Sequence, residues 1–377
     1  MPNRSLIFIL SILLVSCKSN LQNISIVWNV ATELPPTDQK PNIGIAGPIT
    51  GLIGDHLLVA GGANFPDGAP WDGGEKKYQK EAFLYRLSGD TILLDSTFTL
   101  PQALAYPANV SQDGVLYSAG GEDILGAIGE VYAYQFDKQN QLKVNELPRL
   151  PIPLSNASMV YINATLYLIG GENNDIVSNK IYKLDMSQSG QEWTPWLELP
   201  YALTHAVALA GTNETIIIMG GRKRNRGDKS TIYDRVLSID SKDKSLRYLP
   251  ELPSPLAAGT GVCTSNGDYI LIGGDDASTF HLAEQIIADI SAETDSIKRE
   301  ALILEKRKIQ QTHPGFHKNV WRLKSETGKE WQLISELTVQ SPVTTTAIKW
   351  KDYIIIPSGE IRAGVRTANI LSGQLIQ

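Results

Sequence analysis

A short apolar, largely β-branched run ends in a glycine pair at Leu58-Val59-Ala60-Gly61-Gly62, Tyr117-Ser118-Ala119-Gly120-Gly121, Leu168-Ile169-Gly170-Gly171, Ile218-Met219-Gly220-Gly221 and Leu271-Ile272-Gly273-Gly274. A sixth, degenerate copy reads Ile355-Ile356-Pro357-Ser358-Gly359. Successive pairs lie 59, 50, 50, 53 and 85 residues apart. A period near fifty with Gly-Gly at a strand end is the pattern of four-stranded propeller blades, each too small to bury a core alone. The repeat therefore predicts one closed, all-β ring of six blades, although 377 residues would ordinarily suggest two or three domains.

The blades are of the kelch type. In the first, strands are expected at 45–53, 56–61, 82–87 and 91–98. Fourth strands end at leucine-proline steps, Leu100-Pro101, Leu147-Pro148, Leu199-Pro200 and Leu252-Pro253, where proline offers no amide for pairing. The chain opens with a segment of fourth-strand character, Ile24-Ser25-Ile26-Val27-Trp28 before Leu34-Pro35, and closes after a third strand near Thr367 to Leu371. The two ends are therefore expected to share the last blade and leave the ring without a free edge.

Residues 1–16 read as a leader. Arg4 supplies a positive charge, Leu6 to Val15 is almost wholly apolar, and Leu14-Val15-Ser16-Cys17 has the small-residue form of a cleavage site. Roughly ten apolar residues fall short of the twenty or so that span a bilayer. The segment resembles a bacterial lipobox, which implies lipidation at Cys17, a tether over 17–23 and a propeller over 24–377. Lys18-Ser19-Asn20 place no acid beside the cysteine, a pattern similar to outer-membrane sorting signals, so the expected location is the bacterial cell envelope with contact to membrane only through the anchor. The other cysteine, Cys263, lies in an apolar run and reads as an inert core thiol. A formal charge of −6 gives no footprint for nucleic acid.

The interval from Gly274 to Gly359 is about thirty-five residues longer than a blade requires. Residues 283–289 and 297–311 are rich in Glu, Lys, Ala, Leu and Ile at helical spacing, predicting a helical insertion in the fifth blade over about 277–316. It serves either as a lid or as a loop packed on the side of the ring. Because strands alternate in direction, the loops after each glycine pair and the connections between blades emerge on one face. That face collects Asn64-Phe65, Glu122-Asp123, Glu172-Asn173-Asn174, Arg222-Lys223-Arg224, Asp275-Asp276 and Glu360-Ile361-Arg362.

The histidines His56, His205, His281, His313 and His317 make no HExxH pattern, and Pro314-Gly315 interrupt the last two, so no metal site is expected. No phosphate-loop pattern occurs. The last blade differs from the others, since Glu360 and Arg366 stand six residues apart across a turn bearing Gly364. A carboxylate tuned by burial and a neighbouring arginine suits general acid-base work, and arginine suits a substrate carboxylate. Acids also follow the glycines at Glu122, Glu172 and Asp275, so Glu360 equally fits a plain repeat position.

The segment Gly359-Glu360-Ile361-Arg362-Ala363-Gly364-Val365-Arg366-Thr367 resembles the GExKPGLRT stretch of the bacterial N-acetylneuraminate epimerase family, the sialic acid mutarotases. Gly61-to-Gly68, the Ala105-Tyr106-Pro107 turn, the six blades and the insertion extend the likeness over most of the mature chain. It implies that Glu360 and Arg366 are the catalytic pair, that α- and β-N-acetylneuraminate are interconverted by ring opening and closure, and that no cofactor is used. Arg366 would pair with the substrate carboxylate, aided by Arg222 or Arg362, with Asn64, Phe65, Trp71 and Tyr106 as binding-wall residues. The starting blade resembles a cyclically permuted branch, Ala363 replaces the family proline, and Pro107 replaces a glycine. The alternatives are a non-catalytic kelch lipoprotein that binds glycan or protein, and another sugar-acid isomerase or lyase using the same carboxylate.

Overall fold

A computed structural model describes residues 25–37 and 39–376; the leader, Cys17 and Ile24 lie outside the described residues. Six four-stranded antiparallel sheets make up the architecture. The first comprises Ile49–Ile53, His56–Ala60, Glu81–Ser88 and Thr91–Thr99, and the next four repeat that up-and-down order. In the sixth, Ile348–Trp350, Tyr353–Pro357 and Asn369–Ile376 are completed by Ser25–Glu33, in register from Ser25 opposite Ile376 to Glu33 opposite Asn369. The ring thus closes as the sequence predicts, with a closing strand longer than the expected segment. Its Ile26 and Trp28 enter the core between the fifth and sixth blades, against Val262, Ile272, Ile354 and Leu371.

The glycine pairs have a steric reason. Both members hold positive φ, and a Cβ on Gly120, Gly170 or Gly220 would overlap the carbonyl oxygen of Leu154, Leu203 or Leu256 in the next connection. The second glycine then donates its N–H across the seam: Gly62 to Leu104 O, Gly121 to Leu154 O, Gly171 to Leu203 O and Gly221 to Leu256 O, at 2.8 to 3.0 Å. At the degenerate sixth copy Gly359 keeps the same bond, donating to Ile45 O at 2.9 Å, and Ser358, with φ at 55°, adds its hydroxyl, accepting Ile45 N–H at 2.9 Å and donating to Thr367 O at 2.7 Å. The imperfect repeat is the seam between the last and first blades, stitched by the repeat's backbone bond and by a side chain.

After each glycine pair the chain bridges to its own inter-blade connection: Ala63 with Ala46, Glu122 with Ala105, Glu172 with Ser155, Arg222 with Thr204, Asp275 with Ala257 and Glu360 with Val343. The residue following each connection partner, namely Gly47, Tyr106, Asn156, His205, Ala258 and Thr344, is left-handed, with φ between 53° and 62°. Their backbones form a closed circuit: Gly47 N–H donates to Thr344 O, Thr344 to Ala258, Ala258 to His205, His205 to Asn156, Asn156 to Tyr106 and Tyr106 to Gly47, at 2.7 to 3.1 Å. Left-handed backbone costs a non-glycine residue about 1–2 kcal/mol, a strain held here by neighbours on both sides. This ring surrounds the propeller axis.

The insertion forms two helices between the second and third strands of the fifth blade, α1 (Ser278–Ala292) and α2 (Ser296–Gln311). Asp275 Oδ1 accepts Ala277 N–H and Asp276 Oδ1 accepts Ser278 N–H, both at 2.8 Å, at the start of α1, and Asp295 caps α2. Residues 313–318 are non-helical, as Pro314 and Gly315 require.

Candidate active site

A cavity of about 330 Å³ lies between the axial ring and the insertion. His205, Ala258 and Thr344 of the ring, with Arg222, Asp275 and Glu360 from the post-glycine positions, provide its polar side. Phe280, Ala283 and Ile287 of α1, Ile309 and Gln310 of α2, and Phe316 form most of the opposite, apolar side. Positions 280, 283 and 287 share one helical face, which is why a surface insertion can offer a continuous apolar wall. The insertion is therefore a cover over the site rather than packing on the flank. A narrower axial space of about 120 Å³, lined by the ring and the first residues of the inner strands, shares His205, Ala258 and Thr344 with the cavity.

Glu360 opens the hairpin Glu360–Arg362 with Val365–Arg366, whose turn contains Gly364 at φ 72°. The turn folds the carboxylate back on its own backbone, so Oε1 accepts Gly364 N–H at 2.7 Å and lies 3.4 Å from Arg366 Nη1. Burial pushes the Glu360 carboxyl above its ordinary range. Arg366 and the Gly364 N–H pull it down, while Asp275 pushes it further up. The Glu360 side chain is 19% exposed and that of Arg366 only 5%.

The expected pair is thus together, but its members play unequal parts. Arg366 does not line the cavity: it stands beside Glu360, donates Nε–H to Ala63 O at 3.3 Å, and spreads its guanidinium 4.8 Å from the Phe65 ring centroid. Arg222 does line the cavity. Its Nη2 pairs with Glu172 Oε1 at 3.0 Å, its guanidinium lies 5.1 Å from the Phe280 ring, and its Nε is buried without a partner.

The remaining expected wall residues sit elsewhere. Asn64 is buried with its amide committed, Nδ2 donating to Gly44 O at 2.9 Å and Oδ1 accepting from Gln79 Nε2 at 2.7 Å, so it braces the loop and does not reach the cavity. Phe65 is a platform for Arg366. Trp71, in the short turn Pro70–Asp72, packs near Gly364 at the back of the hairpin, and its neighbour Asp72 pairs with Arg307 of α2 at 2.5 Å. Arg362 is exposed and outside the cavity lining. Tyr106 belongs to the axial ring, where burial raises its phenol pKa.

Sequence reasoning missed His205, Asn156, His313, Phe280, Phe316 and the role of Glu172. His205 is neutral, because burial holds its imidazole well below the usual value and Arg222 adds to the effect. Its Nδ1 lies 3.7 Å from Glu172 Oε1, which also accepts from Asn156 Nδ2 at 3.4 Å. His313 accepts Gly315 N–H on Nδ1 at 3.0 Å, and burial lowers its pKa against the pull of Asp275. Around the face, Glu122 accepts on Oε1 from Lys76 at 2.6 Å and from Tyr78 at 2.8 Å. Cys263, expected in the core, is a free thiol that is only half-buried at the end of Thr260–Cys263, packed against the core, and burial raises its pKa.

Comparison with known proteins follows this geometry. The model of the family described as N-acetylneuraminate epimerase matches residues 147–377. An N-acetylneuraminate epimerase of Brucella suis is 33% identical over 117 residues, 29% of this chain and 30% of that protein. One of Haemophilus influenzae is 20% identical over 229 residues, 60% of this chain and 59% of that protein. The matches thus span less than two thirds of either relative's length. A solved structure titled "Structure of YjhT" superposes with a TM-score of 0.64 at 15% identity, covering 93% of this chain and all of that one, which establishes the shared fold.

Proposed function

The chain belongs to the N-acetylneuraminate epimerase family, and from that premise we propose that it interconverts the α and β anomers of N-acetylneuraminate, or a close sialic acid, at the roofed cavity. One observation carries the reading. Glu360 is held by a backbone N–H and an arginine through one carboxylate oxygen, while the side chain opens on a cavity of ligand size. Mutarotation needs little else: the anomeric hydroxyl loses a proton as the bond from C2 to the ring oxygen breaks, and the ring oxygen gains one. The open-chain keto acid then turns its other carbonyl face to the ring hydroxyl, and the same transfers run backward. Proton transfers and the reversible breaking of one C–O bond make up the sequence, with no change of oxidation state, so the chemistry calls for no redox group.

In this reading Glu360 exchanges the anomeric proton, and Arg366 orients it and restrains its charge. The carboxylate of the sugar acid falls to Arg222, the guanidinium that lines the cavity, whereas Arg366 is enclosed behind Glu360. The apolar face of α1 and α2 suits the methyl of an N-acyl group. The test is proton NMR of freshly released α-N-acetylneuraminate with wild type and Glu360→Gln. Wild type is expected to speed appearance of the β anomer, and the variant to return it to the spontaneous rate. Equal rates for the two proteins would sink the mechanism, and saturable binding without acceleration would establish a glycan-binding module instead.

The same proposal includes placement in the bacterial envelope through lipid on Cys17, supported by the leader pattern of residues 1–17. Fatty-acid labelling that persists in Cys17→Ser would refute it.

A further inference from the structure

Glu360 has a counterpart one blade away. Asp275 occupies in the fifth blade the repeat position that Glu360 holds in the sixth, exchanging backbone hydrogen bonds with Ala257 at 2.8 and 2.9 Å as Glu360 does with Val343 at 2.8 and 3.0 Å. Both line the same cavity. Each carboxyl has one oxygen committed to a backbone N–H close ahead in sequence, Asp275 Oδ1 to Ala277 and Glu360 Oε1 to Gly364. Their second oxygens, Asp275 Oδ2 and Glu360 Oε2, have no hydrogen-bond partner among the described residues and are not among the solvent-sealed unpaired atoms. They are the free ends that the cavity receives.

The four other repeat positions lack this arrangement. Ala63 has no polar group, Glu122 is tied to Lys76 and Tyr78, and Glu172 and Arg222 are tied to each other. Glu122 and Glu172 lie outside this cavity, and among the described residues Asp275 and Glu360 are the two acids that line it, both under the insertion.

Resting on the mutarotase reading above, we propose that Asp275 is the second catalytic carboxyl, the acid that protonates the ring oxygen while Glu360 acts as base on the anomeric hydroxyl. On opening, the anomeric proton passes to the Glu360 carboxylate, the C2–ring oxygen bond breaks, and the Asp275 carboxylic acid gives its proton to the ring oxygen. On closure, the ring hydroxyl attacks the other face of the C2 carbonyl and returns its proton to Asp275. Glu360 then returns its own to the former carbonyl oxygen. Both groups end as they began, with no net proton taken or lost.

The surroundings support this division. Asp275 is raised by burial and by Asp276, against the Ala277 N–H, His313 and Arg222; Glu360, raised by burial and by Asp275, has Arg366 at 3.4 Å and Lys76 to favour its ionised form. Two carboxyls that share a cavity hold one proton more readily than none, and the proton settles where the counter-charge is weaker.

The experiment is the pH-rate profile of wild type, Asp275→Asn and Asp275→Glu with α-N-acetylneuraminate. Asparagine keeps an oxygen for the Ala277 N–H, so the start of α1 and the unfolding midpoint should survive. The rate above the spontaneous one should fall by a factor of about 10² to 10⁴. The wild-type profile should be a bell, whose alkaline limb reports Asp275 and disappears in Asp275→Asn. Asp275→Glu should restore part of the rate and return the limb. An Asp275→Asn enzyme within about threefold of wild type, or one slowed with its bell intact, overturns the proposal while leaving Glu360 in place. A wild-type protein that gives no acceleration overturns the parent reading as well.

Discussion

Replacing Arg366 with methionine removes the counter-charge of Glu360 while keeping much of the buried side-chain volume. At 3.4 Å the attraction between the two charges is about 5 kcal/mol with an effective dielectric constant near 20. Only part of this is net stabilisation, because Glu360 retains some solvent contact and Arg366 also makes the Phe65 and Ala63 contacts. Breaking one partner of such a pair should cost about 2–4 kcal/mol near pH 8. The sign of its pH dependence follows from Glu360, whose folded-state pKa is raised, so its titration contributes stability at low pH that is lost as pH rises through the folded value. Without Arg366 that value rises further and the loss deepens. Urea unfolding of wild type and Arg366→Met should therefore diverge as pH rises and converge on the acid side, as Glu360 takes up its proton in both. A difference that stays constant with pH would show that the ion pair contributes nothing and that Arg366 acts by packing alone.

Three further outcomes follow. Ser358→Ala leaves the Ile45 N–H without its acceptor at the seam between the last and first blades, and should lower stability by about 1–3 kcal/mol in denaturant melts. Trp28→Ala empties a buried site between the fifth and sixth blades and should cost about 3–5 kcal/mol, with aggregation on heating as the closing strand loosens. Arg307→Ala removes an ion pair to Asp72 whose side chains are 48% and 43% exposed, so stability should fall by no more than about 1 kcal/mol in denaturant melts, while the cover over the hairpin becomes easier to proteolyse.

The fold was legible because its repeat has a local steric cause: a glycine pressed against the neighbouring connection leaves a mark in five of the six blades, and leucine-proline marks five of the six exits. The helices α1 and α2 fall within the predicted 277–316 because helical spacing is also local. The site was only half legible. Glu360 and Arg222 follow glycine pairs and were found, but His205 lies in an inter-blade connection with no motif, and its place emerges only when six connections are set side by side. Asn64, Phe65 and Trp71 come from the first-blade loop, which passes behind the Glu360–Arg366 hairpin rather than over the cavity. Nothing in a linear pattern distinguishes the front of a loop from its back. Arg366 shows the same limit: six residues of spacing indicate contact with Glu360, not which of the two faces the ligand.

The pairing of Ser25–Glu33 with Asn369–Ile376 also governs the order of events during synthesis. The strand that closes the ring is made before the first blade and its partner after the fifth, so it must wait unpaired while five whole blades form. Bringing the two together closes a loop that holds all five other blades, the most non-local pairing among the described strands and the natural candidate for the slowest step. Until then Ile26 and Trp28 have no core, and the Asn369–Ile376 edge is open to any passing strand. The hazard of this architecture is therefore one of timing: a nascent propeller is most vulnerable just before its final latch engages.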